Sequence, residues 1–159
     1  PKGMAQGIAV GRWGAENGTP ETGTTVAAVA TVEVTAKTNI KVHTLDVAFD
    51  VGTVLNPDAI DTEVVGGTVF GYNMAMHEGL TIKDGKIVEG NFSEYHMVRT
   101  GEIPQINVHS GGLTGHPRFS EIGEPPVGPV GPAIGNAVFK ASGIRIRSTP
   151  FRDLNLTWA

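Results

Sequence analysis

The chain contains no cysteine. That excludes disulfides, thiolate metal sites and iron–sulfur ligands from this polypeptide, and it leaves the compartment open. No apolar run approaches the roughly 18 residues that mark a membrane span. The start lacks the basic head, apolar stretch and small-residue cleavage site of a secretory signal. No targeting segment is recognised, so cytoplasm and periplasm both stay open. Basic residues are not in excess: 12 Lys and Arg stand against 16 Asp and Glu, a formal charge of −4. Nucleic acid or an anionic membrane is therefore a poor fit as main partner. No glycine cluster has Rossmann or phosphate-loop spacing. The histidines, His43, His77, His96, His109 and His116, show no metal-ligand spacing. Structural roles are expected for all of them, and no residue is assigned as a metal ligand.

What is present suffices for one domain over residues 1–159, with 40% hydrophobic content. The 22 glycines and 10 prolines are spread among apolar segments and read as turns and close approaches. Residues Met4 to Trp13 predict a strand. Residues Thr24 to Thr35 and Ile40 to Asp50 are β-branched and alternating, and they predict an antiparallel pair. Val32, Val34, Val42, Leu45, Val47 and Phe49 are their candidate core. Asn56-Pro57-Asp58 predicts a helix start: an N-cap, a proline where no donor is lost, and an acid at the positive end. That helix is expected to run to about Met76, burying Ile60, Val64 and Phe70. Gly66, Gly67 and Gly71 cost it propensity, about 1 kcal/mol each against alanine, which points to something packed closely on that side. Asp84-Gly85 predicts a tight hairpin between Leu80–Ile82 and Lys86–Val88. A second helix is expected from Pro132 to Ala141, stopped by Gly143. Ile144, Ile146 and Phe151 read as a last extended segment. The order of elements predicts an α+β fold: a mixed β-sheet with two main helices packed on one face.

The run Gly123-Glu124-Pro125-Pro126 stands apart. Pro125 fixes its own backbone, lacks a donor and biases Glu124 towards extended geometry. Gly123 permits close approach of another group. Glu124 is thus presented on a stiff loop, as a general base would be, although an isolated glutamate in such a turn is more often simply solvated. The polar, glycine-rich stretch His109 to Glu121 before it predicts a long loop beside the site. Arg145 and Arg147, alternating on the tail, are expected to pair with acidic residues at the surface or on a neighbouring subunit.

Three motifs recur together: Gly123-Glu124-Pro125; Pro132-Ala133-Ile134-Gly135-Asn136-Ala137; and Arg145-Ile146-Arg147-Ser148-Thr149-Pro150-Phe151. With Val47 to Gly67 and the opening Pro1 to Gly7, they make nearly the whole chain resemble the molybdenum hydroxylases, the xanthine oxidase and aldehyde oxidoreductase family. Within that family the similarity is greatest to the C-terminal part of the molybdopterin-binding beta subunits of isoquinoline 1-oxidoreductases.

The resemblance implies part of a molybdopterin-binding domain, in a subunit several times longer than this chain. It implies a molybdopterin-type molybdenum cofactor in the complete enzyme and Fe–S clusters on a partner subunit. The reaction implied is hydroxylation of an aldehyde or N-heterocycle with oxygen from water, with Glu124 as the base beside the molybdenum. It places Glu63, Gly67 and Gly123 on the cofactor side. The isolated chain, one wall of such a site, is expected to be inactive. Glu63 departs from the family pattern, which carries a glutamine there. An ionised glutamate only accepts hydrogen bonds, whereas glutamine also donates. That departure keeps an alternative in play, a non-catalytic assembly or binding module that retains the fold without a working molybdenum site.

Overall fold

The structure, a computed structural model, describes residues 4–14, 23–35, 39–109 and 119–151. The loop after Trp13, the link after Thr35, His116 and most of the stretch after His109 lie outside the described residues.

Four strands form the main sheet in the order β1-β2-β3-β6. Strand β1 (Met4–Trp13) pairs antiparallel with β2 (Thr24–Thr35), and β2 pairs antiparallel with β3 (Asn39–Asp50). Strand β6 (Gln105–His109) lies parallel to β3 and makes the sheet mixed. The alternation in β2 sends Val26, Ala28, Ala30, Val32 and Val34 to one face, all fully or nearly fully buried. In β3 the inward residues are Val42, then Leu45, Val47 and Phe49. The odd step from Val42 to Leu45 follows from a bulge, because the register moves from Thr31↔Thr44 to Val32↔Val42. One extra residue, His43, resets the phase so that both halves of the strand serve the same core.

Helix α1 (Pro57–Met76) begins as its sequence predicts. The Asn56 side chain accepts the Ala59 N–H at 3.2 Å, a cap worth about 1 kcal/mol. Helix α2 (Val127–Ser142) is amphipathic and lays Val130, Ala133, Ile134, Ala137 and Val138 on the sheet. Gly143, at φ 79°, ends it in the left-handed conformation with its N–H on the Phe139 carbonyl. Helix α2 covers β1 and β2, while α1 packs beside α2 and towards β6. Both helices thus share one face of the sheet, and a single apolar core joins the layers.

The closest approach is at Gly7. An added Cβ there would stand 2.1 Å from the Ala137 backbone nitrogen. The small residues Gly7, Ala28 and Ala30 keep the sheet surface low, so that the α2 backbone rests directly on it. Asn136 closes the same contact, donating from Nδ2 to the Ile8 carbonyl at 3.0 Å.

Three details differ from the sequence reading. Helix α2 starts at Val127, not Pro132. Prolines read as breakers, yet their fixed φ suits a helix, and Pro129 sits in the first turn where no intrahelical donor is required. Phe70 is 52% exposed, because α1 turns Gly67 and Gly71, not Phe70, towards α2. The residues after Gly143 make no strand up to Phe151. The Asp84-Gly85 turn is present with both residues at positive φ, joining the short β4 (Ile82–Lys83) and β5 (Lys86–Ile87).

Candidate active site

Glu124 sits on the turn that enters α2. Its carbonyl accepts the Val127 N–H at 3.0 Å. Pro125 and Pro126, on its C-terminal side, are buried, whereas Gly123 and Glu124 are exposed. The proline pair is therefore the anchor, and Glu124 stands exposed on the turn just before α2.

Helix α1 supplies the facing wall. An added Cβ at Gly67 would stand 3.0 Å from Pro126 Cβ and 3.1 Å from the Gly123 carbonyl oxygen. Gly71, one turn on, meets the Val127 carbonyl at 2.5 Å in the same sense. These two glycines let the helices approach until backbone meets backbone. Glu63, one turn before Gly67, places Oε2 3.7 Å from where a Cβ on Gly123 would be. Gly66 points to open space. Glu63, Gly67, Gly123 and Glu124 are thus brought together at one junction, in which Gly67 is buried against Pro126 while Glu63, Gly123 and Glu124 are exposed. The α1 glycines serve helix–helix packing at Gly67 and Gly71, and only Gly66 is free for another purpose.

The other candidates lie elsewhere. His43 pairs with Glu33 at 3.0 Å, and His96 lies 3.8 Å from Glu102. His77 packs edge-on against Tyr72 and stacks obliquely with His96. His109 contacts Asp46 at 3.2 Å. Among the described residues no group of three or more acidic or histidine side chains can hold a metal ion. Arg145 is held by an amide and a ring: Nη1 donates to Asn136 Oδ1 at 2.7 Å, and the guanidinium lies 3.8 Å above Phe139.

The shifted carboxyls and phenol are also away from the junction. Burial raises the Asp46 pKa, but hydrogen bonds from Asn107, His109 and Thr44, with the charge of His109, outweigh it and leave the group below its ordinary value. Burial, helped by Glu102, raises that of Tyr72. Glu102 is lowered chiefly by the Arg99 backbone N–H. These are structural networks of β3, β6 and the segment after α1.

The sequence model of a family described as the molybdopterin cofactor-binding domain matches residues 4–104. The chain belongs to that family. Over 157 residues it is 35% identical to the membrane-bound aldehyde dehydrogenase [pyrroloquinoline-quinone] of Gluconacetobacter polyoxogenes, covering 98% of this chain and 20% of that protein. It is 31% identical to the isoquinoline 1-oxidoreductase subunit beta of Brevundimonas diminuta, covering 94% of this chain and 18% of the relative. Among solved structures, the aldehyde oxidoreductase of Desulfovibrio gigas superposes with a TM-score of 0.69 at 24% identity, over 82% of this chain and 15% of that one. At that identity the superposition speaks for the fold: a mixed sheet carrying two helices. The chain spans about a fifth of the length of the curated relatives it matches. The molybdopterin-binding fold is therefore established for a segment whose relatives are much longer.

Proposed function

We propose that this chain forms one wall of the cofactor site in a molybdenum hydroxylase, with Glu124 as the general base. The observation that carries this reading is the convergence of Glu63, Gly67 and Gly123 beside an exposed Glu124, built by α1 and the turn into α2 from residues distant in sequence. Apart from Glu63, which lacks the donor of the family's glutamine, the residues fit the group. A flat pterin needs close backbone approach, which the exposed, uncrowded backbone at Gly66 and at Gly123 would allow. A base needs an exposed carboxylate on a stiff support, which Glu124 on the buried proline pair provides.

When bound, the molybdenum cofactor supplies the redox centre for hydroxylating an aldehyde or N-heterocycle with oxygen from water. Glu63 and the Gly123 backbone lie on the side that would hold it. Glu124 would be the proton acceptor in that hydroxylation and would pass the proton on to water. A base of this kind contributes about 10²–10⁴-fold to rate. Pro125 and Pro126 keep its backbone from drifting, and a misplacement of about 1 Å can cost on the order of 100-fold. The rest of the subunit and an Fe–S partner complete the enzyme in this reading.

The name of the Gluconacetobacter relative gives pyrroloquinoline quinone, a different redox group. Elemental analysis separates the two readings. The assembly containing this chain, isolated from its native setting, is expected to hold near-stoichiometric molybdenum. A stable assembly without molybdenum would overturn the proposal and favour either a different redox group or a module that keeps the fold without the site.

A further inference from the structure

A groove of about 480 Å³ runs between the outer side of α2 and the segment after Gly143. Gly131, Pro132, Gly135 and Asn136 line its α2 side, and Pro132, Ile146 and the nearly buried ring of Phe151 supply apolar surface. Arg145, Arg147, Ser148 and Thr149 line the other side, and no carboxylate is among the described lining residues.

The Arg145 guanidinium is already oriented. Asn136 accepts from it at 2.7 Å, Phe139 lies beneath it, and Asn136 is itself fixed to the Ile8 carbonyl. A planar donor fork held in this way loses little freedom on gaining a further partner. Arg147 has no hydrogen bond or ion pair among the described residues, yet it opens on the same groove. Two guanidiniums and two hydroxyls over an apolar floor match a carboxylate on a polypeptide: the fork pairs it bidentately, and the floor receives the apolar stem. The excess positive charge is local, since the chain as a whole carries −4.

We infer that this groove is a docking site for an acidic segment of the longer polypeptide or assembly to which the chain belongs, with a carboxylate held by Arg145 and Arg147. The occupant follows from charge complementarity and length. This chain spans about a fifth of its curated relatives, so most of the assembly is available to cover an open basic groove. The inference rests on the reading of the chain as part of a larger protein, but not on molybdenum or turnover.

Zero-length carbodiimide coupling in the intact assembly tests it. The Arg147→Lys variant keeps the charge at an exposed position and introduces an amine that can couple to a carboxylate. The expected result is a covalent link from position 147 to an Asp or Glu outside residues 1–159, found by peptide mass spectrometry and at least tenfold weaker when coupling is done in high salt. No link, or links only within residues 1–159, would overturn the inference. Calorimetric titration of the unmodified assembly with inorganic phosphate is the second measurement. Saturable binding that Arg147→Ala abolishes would show a groove open to small anions, and would also overturn it. A linked assembly without molybdenum would sink the hydroxylase reading and leave this inference standing.

Discussion

The Glu63 carboxylate on α1 lies beside Gly123 on the turn into α2, with Oε2 3.7 Å from the place a Cβ on Gly123 would occupy. A carboxylate one turn before the Gly67 contact thus faces the residue next to the proposed base. Glu63 is exposed, and no hydrogen bond or ion pair holds it among the described residues. Its replacement should leave folding within about 0.5 kcal/mol. Glu63→Ala is expected to lower molybdenum occupancy of the intact enzyme, while the cofactor-free protein keeps its thermal unfolding midpoint. Full occupancy would remove Glu63 from the cofactor side.

Gly67 has the opposite balance. A methyl group there meets Pro126 at 3.0 Å and the Gly123 carbonyl at 3.1 Å. Gly67→Ala should therefore force the helices apart and destabilise by about 1–3 kcal/mol, net of alanine's better helix propensity. Turnover should fall with it, because the displaced turn carries Glu124. A raised unfolding midpoint with unchanged turnover would contradict the tight contact.

Gly7 makes the stricter test of the fold. The group it would meet, 2.1 Å away, is the backbone of α2, which cannot rotate aside. Gly7→Ala is expected to cost about 3 kcal/mol or more and to reduce soluble protein sharply. A variant with a wild-type unfolding midpoint would mean that α2 does not rest on β1 as described.

Much of this architecture was legible in the sequence. Alternation in β2 and β3, the Asn56-Pro57 start, the Asp84-Gly85 turn and the Gly143 stop are local signals, and each is found where its chemistry places it. What was not legible depends on distant partners. Strand β6 is five residues with only Ile106 and Val108 as apolar signal, and it exists because parallel pairing with β3 satisfies its backbone. The approach of Glu63 and Gly67 to Gly123 depends on how α1 packs against α2, which helical periodicity does not specify. The Asn136–Arg145 bond joins a helix to a tail through side chains whose spacing has no signature of its own.

The Asp46 network predicts a pH dependence. Asn107 Nδ2 donates to Asp46 Oδ1 at 2.9 Å, His109 lies at 3.2 Å, and the Thr44 hydroxyl donates to Oδ2 at 3.3 Å. The folded carboxyl lies below its ordinary value, so the ionised form favours folding. The contribution is complete above the unfolded value of about 4 and is lost as pH falls through the lower folded value. Asp46→Ala should therefore lower the unfolding midpoint more at pH 7 than at pH 3. An equal loss at both pH values would show that the ionised carboxylate is not what holds β6 to β3.

The central claim is that Glu124 is the base. The most direct measurement is turnover and bound molybdenum in the Glu124→Gln variant of the complete enzyme. The side chain is exposed and keeps its size, so neither the fold nor the cofactor should be lost. The expected result is full molybdenum content with turnover lowered at least 100-fold, the scale set by loss of a positioned base. Turnover within a few-fold of the unaltered enzyme, at equal molybdenum, would contradict the assignment.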